Sequence, residues 1–436
     1  MRSTDCPHNF NGTRKPLFYG WIIVIVCAIQ QALQNGIQYS FGIFFKPLVA
    51  DFGWTRASLS GVYALSMISG GLFAIPAGWL ADRIGPAKIA LIYGTLIGLG
   101  LILSSRITDL VQLYITYGVI FGIGTGGVFA VSSGITARWF FKKRGLALGI
   151  VSAGVGFGIL VMPPANEYLI RAIGWSNSYL IIGIMALIIF IATALFLRRD
   201  PKDIGCLPYG AVKPEPEDML IQGQKPYHPA FDGGMTLWNA CFTPSLWILI
   251  FTAVLVGVCT QMISLHLVNY ATDIGISPLT AATIISVIGI GGIFGRLLIG
   301  SGSDRIGNIN AMILCMVIQT ASLIWLIFSS DLWMLYVFAA LFSFAFGGEV
   351  PLLTLLVSEQ FGLRAVSALV GVMLLATRLG AALGSWMGGQ IFDATDSYIV
   401  AFIIASAAST IAMVAVIALK KMKKSLFSRT TTGPQG

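Results

Sequence analysis

The chain has 436 residues, of which 56% are hydrophobic and 10% charged. Soluble domains carry about 25% charged residues, so a soluble enzyme or binding module is excluded and a polytopic protein of the lipid bilayer is expected. The net charge of +9 does not point to a nucleic-acid partner, because the basic residues sit in short loops between apolar stretches, where they report topology.

The opening, MRSTDCPHNFNGTRKPLFYGW, lacks a short apolar stretch ending in a small-residue cleavage site, so no cleavable signal peptide is expected. Twelve apolar segments follow, each close to the ~20 residues that a spanning helix needs. Six lie at about 17–45, 58–80, 87–105, 109–137, 146–170 and 175–197, and six at about 243–268, 278–300, 309–329, 332–357, 365–391 and 397–419. The expected organisation is an N-terminal cytoplasmic segment 1–16, a six-helix bundle 17–197, a proline-rich cytoplasmic linker 198–242, a second six-helix bundle 243–419 and a basic tail 420–436. One set of loops holds Arg14, Lys15, Arg83, Lys88, Arg138, Lys142, Lys143, Arg144, Arg198, Arg199, Lys202, Arg305, Arg364 and the Lys420–Lys424 cluster; the other holds only Lys46, Arg56, Arg106 and Arg171. The richer side is expected to be cytoplasmic, with both termini inside.

The six cysteines occur singly, without a CxxC or Cys/His cluster, so neither a metal site nor a disulfide framework is indicated. No cofactor is called for.

The halves repeat. Gly78-Trp-Leu-Ala-Asp82-Arg83-Ile-Gly85 follows the second span and Gly300-Ser-Gly-Ser-Asp304-Arg305-Ile-Gly307 follows the eighth, an offset of 222 residues. A duplicated six-helix unit implies two bundles rocking about a midplane site. Asp82, Arg83, Asp304 and Arg305 are read as gating groups that latch the outward-facing state by ion pairing, not as substrate ligands.

Charges inside the spans carry the chemistry. Arg296 interrupts the eighth span, and Gly289, Gly292 and Gly300 share its helical face, leaving room for a close neighbour or a cavity. Arg378 lies well inside the eleventh span. An arginine in hydrocarbon costs at least ~2.5–3.5 kcal/mol, so it faces protein, water or an anion. A guanidinium suits a bidentate grip on a carboxylate; the competing reading is snorkelling or a structural ion pair. Glu349, in the tenth span, is a candidate to carry a proton or to balance an arginine. His266, near the outer end of the seventh, is a candidate for substrate hydrogen bonding, proton coupling or packing. Gln38 and Tyr39 offer neutral hydrogen bonds to a carboxylate. Asn166 and Glu167, near the outer end of the fifth span, are expected at the interface. No nucleophile–base or metal-ligand cluster is visible, so an enzyme is not expected.

The paired G-x-x-x-D-R-x-G loops and long linker resemble the major facilitator superfamily across about residues 17–420. Three further features resemble its monocarboxylate porter branch and the related bacterial oxalate–formate antiporters. These are Tyr19-Gly20-Trp21 with Phe44-Phe45-Lys46 and Phe52-Gly53-Trp54-Thr55-Arg56; Arg138-Trp139-Phe140 with Lys143-Arg144-Gly145; and the eighth-span arginine. The resemblance implies that Arg296 binds the substrate carboxylate, that Arg378 takes the place of a second cation found in the antiporters, and that Gly36-Ile37-Gln38-Tyr39-Ser40 matches their Gly-x-Gln-Tyr-Ser. Animal proton-coupled members carry a lysine where this chain has Tyr39 and an aspartate where it has Gly292. The function expected is a monomeric, multi-pass carrier of the plasma (inner) membrane. It moves small organic anions such as lactate, pyruvate or formate, with a proton, by alternating access. The alternatives are an oxalate or dicarboxylate antiporter and an anion-binding membrane sensor.

Overall fold

The computed structural model describes residues 18–210, 235–362 and 366–431. Its regular structure is helical, apart from isolated bridge residues at Phe140, Tyr209 and Gly362, of which Phe140 pairs with Tyr209. The helices are α1 (Tyr19–Tyr39), α2 (Phe45–Phe52), α3 (Arg56–Ile84), α4 (Pro86–Ser104), α5 (Leu110–Trp139), α6 (Arg144–Ala194), α7 (Leu237–Cys241), α8 (Pro244–Asp273), α9 (Pro278–Ile306), α10 (Asn308–Ile327), α11 (Leu332–Phe361), α12 (Val366–Thr395) and α13 (Ile399–Thr431).

Eleven of the described helices are long and apolar enough to cross a membrane. One of them, α6, has 51 residues, about 76 Å of helix against roughly 30 Å of hydrocarbon. It breaks at Gly174, whose φ of 78° and ψ of 164° suit a residue without a Cβ. Two spans result, and the total among the described residues becomes the twelve that the apolar pattern predicts. Most helices outrun their apolar segments: α9 extends to Ile306, so Arg296 lies ten residues from its end, about 15 Å. Within α5, Tyr114–Phe121 winds as a π-helix.

The chain packs as two compact units. One holds the described residues up to Gln38 and from Ser69 to Gly210; the other holds Tyr39–Ile68 and the described residues from Met235 onward. Helices α1 and α3 therefore contribute to both.

In the first unit, the core gathers Ile23, Val24, Ala77, Tyr93, Trp139 and Val151. The Tyr19-Gly20-Trp21 and Arg138-Trp139-Phe140 stretches meet here: Trp21 lies edge-on to Phe140 with ring centroids 4.9 Å apart, and Tyr19 lies 5.5 Å from Trp139. Tyr19 Oη donates to the Phe196 carbonyl at 2.8 Å and Trp139 Nε1 to the Arg198 carbonyl at 3.1 Å, tying both helices to the end of α6. Helices α1 and α6 approach backbone to backbone: a Cβ on Gly154 or Gly158 would overlap the carbonyl oxygens of Ala28 and Ala32. Gly158→Leu forces backbone displacement, which costs about 1–3 kcal/mol. Thermal unfolding of the purified variant is expected to show a melting temperature lowered by at least about 2–4 °C.

In the second unit, Leu249, Ala253, Met316, Leu352, Leu356 and Met373 form the core. Gly257 abuts the Thr377 carbonyl, and Gly380 and Gly384 abut those of Val254 and Val258, locking α8 to α12. Gly295 abuts the Phe344 carbonyl and Gly347 that of Gly292, locking α9 to α11. Of the small residues read as sharing the face of Arg296, Gly292 thus meets a close-packed neighbour.

Both D-R-I-G turns end alike. Gly85 (φ 96°, ψ 148°) and Gly307 (φ 84°, ψ 143°) share one left-handed conformation, and the next helix starts at once. The duplication is therefore visible in the backbone. The cysteine reading needs one correction: Cys206 is disulfide-bonded, whereas Cys27, Cys241, Cys259 and Cys315 are free. Spacing along the chain does not reveal pairing through space.

Candidate substrate site

Helix packing sets where the two intramembrane arginines emerge. With Thr377 and Gly380 pressed on α8, the rotation of α12 is fixed, and Arg378 directs Nη1 at the Met67 thioether, 3.3 Å away. With Gly292 and Gly295 pressed on α11, the rotation of α9 is fixed, and with it Arg296. Tyr39 lies in the electrostatic field of both guanidinium groups. Tyr63, stacked on Phe41 at 5.5 Å, lies in the field of Arg378. Gln261 Nε2 donates to Tyr63 Oη at 3.1 Å, while Gln261 Oε1 is buried with no hydrogen-bond partner among the described residues.

This arrangement invites an anion. A thioether is a weak acceptor, and no ion pair among the described residues includes Arg378. Tyrosine hydroxyls and the Gln261 amide around it offer neutral hydrogen bonds. A small carboxylate fits such a group: charge-assisted bonds from guanidinium, neutral bonds from the rest.

Of the residues predicted from sequence, Arg296, Arg378 and Tyr39 come together. Gln38 belongs to the other unit, buried, where its Oε1 accepts from Gln34 Nε2 at 2.8 Å. His266 is fully buried; Nε2 lies 2.9 Å from the Ser385 carbonyl and Nδ1 3.3 Å from Tyr398 Oη. Glu349 is fully buried; Oε2 accepts from Gln319 Nε2 at 3.3 Å. Arg83 lies over the Trp79 ring, 3.9 Å from its centroid, and Arg305 is exposed. The side chains of Asp82 and Asp304 lie outside the described residues. Asn166, expected at the interface, is buried, with neither side-chain polar atom hydrogen-bonded, and Glu167 pairs with Arg171 at 2.8 Å.

A second polar group went unanticipated. Asp273, at the end of α8, accepts from Arg56 at 2.6 and 3.0 Å and from Lys46 at 2.8 Å. Arg56 also donates to Tyr398 Oη at 2.7 Å and lies over the Phe392 ring, 3.7 Å from its centroid. Asp393 accepts from the backbone N–H groups of Arg56 and Ala57 at 3.1 and 2.8 Å, capping α3. His266 joins this group through Tyr398.

The Major Facilitator Superfamily profile matches residues 24–329 and 270–434. The chain belongs to the major facilitator superfamily. Within that superfamily it is similar to monocarboxylate transporter 13 of Rattus norvegicus, 26% identical over 89% of this chain and 86% of the relative. It is also similar to monocarboxylate transporter 12 of Homo sapiens, 25% identical over 88% and 77%. The uncharacterized MFS-type transporter YhjX of Escherichia coli is 26% identical over 86% and 87%. These likenesses agree with the monocarboxylate branch. A solved bacterial homolog of the human lysosomal transporter Spinster, inward-facing and unoccupied, shares the fold with a TM-score of 0.68 at 17% identity, covering 93% of this chain and 96% of that one. The nucleoside transporter NupG does so with a TM-score of 0.71 at 13% identity, over 92% and 99%. This major facilitator protein is a multi-pass membrane transporter.

Proposed function

We propose that the transporter carries small monocarboxylates such as lactate, pyruvate or formate together with a proton, by alternating access, as a monomer of the plasma (inner) membrane with both termini cytoplasmic. The observation that carries this reading is the Arg378 guanidinium directed, among the described residues, at a thioether, with Tyr39 in the field of both Arg378 and Arg296. The substrate carboxylate neutralises this positive charge, and neutralisation lowers the cost of excluding water from the site. Tyr39 supplies a neutral hydrogen bond, Glu349 takes the proton, and the D-R-I-G turns, with Asp82, Arg83, Asp304 and Arg305, gate the cytoplasmic end. His266 is assigned to the polar group around Asp273, where it supports Tyr398. Two guanidiniums around one tyrosine also favour a dicarboxylate such as oxalate exchanged for a monocarboxylate, which is the second reading.

Counterflow in proteoliposomes with lactate, pyruvate, formate, acetate and oxalate, with and without a pH gradient, tests both. Monocarboxylate uptake enhanced by an inward proton gradient is the expected result. Oxalate exchange indifferent to pH supports the second reading. Binding without uptake marks a sensor and overturns both.

A further inference from the structure

Away from the arginines, the second unit buries a carboxyl group in a setting that suits a neutral acid. Glu349 is fully buried; among the described residues Oε2 accepts one long bond, from Gln319 Nε2, and Oε1 has no hydrogen-bond partner. Ser409 Oγ donates to Gln319 Oε1 at 3.1 Å and lies 2.8 Å from Thr320 Oγ1, which holds the amide with its nitrogen toward Glu349. Among the described residues, the titratable groups facing the carboxyl are the free thiols of Cys259 on α8 and Cys315 on α10. No ion pair among the described residues includes Glu349. An ionised carboxylate here lacks the cation and the several donors that a buried charge requires.

The helix around Glu349 is built to bend. Pro351 has no N–H to offer the Gly347 carbonyl four residues back, so the α-helical ladder is open at that turn. That same turn is pressed on the helix that bears Arg296. Gly347 abuts Gly292, Gly348 abuts Ile299, and Gly295 abuts the Phe344 carbonyl one turn earlier. Gly292 and Ile299 lie about one turn to either side of Arg296.

We propose that Glu349 is a proton-binding site separate from the anion site and linked to it through the α9–α11 backbone contact. The proton is taken from hydronium and returned to water. Its loss makes the carboxylate seek water, which re-bends α11 at Gly347–Pro351 and shifts the turn carrying Arg296. The linkage rests on the reading that Arg296 binds the substrate carboxylate. It is reciprocal: anion binding must change the protonation of Glu349.

Infrared difference spectroscopy of the full-length protein in lipid, with and without lactate at fixed pH, reads this directly, with bound lactate measured separately by radioligand. The expected result is a protonated-carboxyl C=O difference band in the wild type that is lost in Glu349→Gln. Should that variant fail to fold, Gln319→Leu removes the bond to Oε2 and is expected to shift the band's frequency. The proposal is overturned if lactate binds without a carboxyl band, if the band persists in Glu349→Gln, or if it is unmoved in Gln319→Leu. If no carboxylate in the panel binds, the transport reading and the linkage fall together. A pH-jump band that vanishes in Glu349→Gln then sustains the proton site alone, and its absence overturns that too.

Discussion

Uptake of a small carboxylate is expected to fall at least about 30-fold when Arg296 is replaced by alanine, since truncating one partner of a buried charge pair costs about 2–5 kcal/mol. Arg296→Lys should fare little better, because an ammonium cannot reproduce the planar two-point grip of guanidinium. The glycine contacts that seat α9 on α11 do not involve the arginine side chain, so folding should survive. Initial uptake rates in proteoliposomes, with thermal unfolding as the control, check this; near-normal uptake removes Arg296 from the site. Arg378→Ala should impair oxalate more than lactate, because the second guanidinium matters most to a second carboxylate. Equal losses would remove its role as the other clamp.

The second large effect concerns stability. Arg56 and Asp273 leave 14% and 27% of their side chains exposed and share a two-point bond. Removing Asp273 strands both Arg56 and Lys46 at one place. Asp273→Ala and Arg56→Ala should each lower the melting temperature by roughly 5 °C or more, at about 2–4 °C per kcal/mol for a body of this size. A double-mutant cycle should return a coupling of about 0.5–3 kcal/mol, the range for partners in one network. Additive losses would mean that the two side chains act separately. Asp393→Ala, which uncaps α3, should cost about 1 kcal/mol.

The helical architecture was largely legible in the sequence, because lipid allows little beyond uninterrupted apolar helices. Where two spans run on in one helix, as across Gly174, the gap between the apolar segments ending near 170 and starting near 175 marks the turn. Arg296 and Arg378 were legible as candidates, since intramembrane charge is rare enough to be informative, whereas Tyr39 stood out as a neutral hydrogen-bonding group through the family resemblance. The Asp273 group was not. Arg56 meets its hydrogen-bond partners 217 to 342 residues away in the chain, and Lys46 and Arg56 read as loop charges that only oriented the protein. The Phe44-Phe45-Lys46 and Phe52–Arg56 stretches acquire a physical meaning once Asp273 is seen between their cations. Tyr63, Met67 and Gln261 were missed for a different reason: uncharged residues on apolar helices resemble ordinary packing until an arginine is found against them.

The π-helical run at Tyr114–Phe121 sets a tolerance that the rest of α5 lacks. Downstream of it, Gly124 and Gly127 sit against Tyr93 and Ile97, and Gly126 against Gly70. Removing any residue after Phe121 rotates part of that surface by about 100° and lifts it off its neighbours. A π turn already holds a surplus residue. A single codon deleted between Tyr114 and Phe121 should therefore relax the helix to the ordinary pitch with its glycines still in phase, so this stretch should tolerate the loss better than the turns after Phe121.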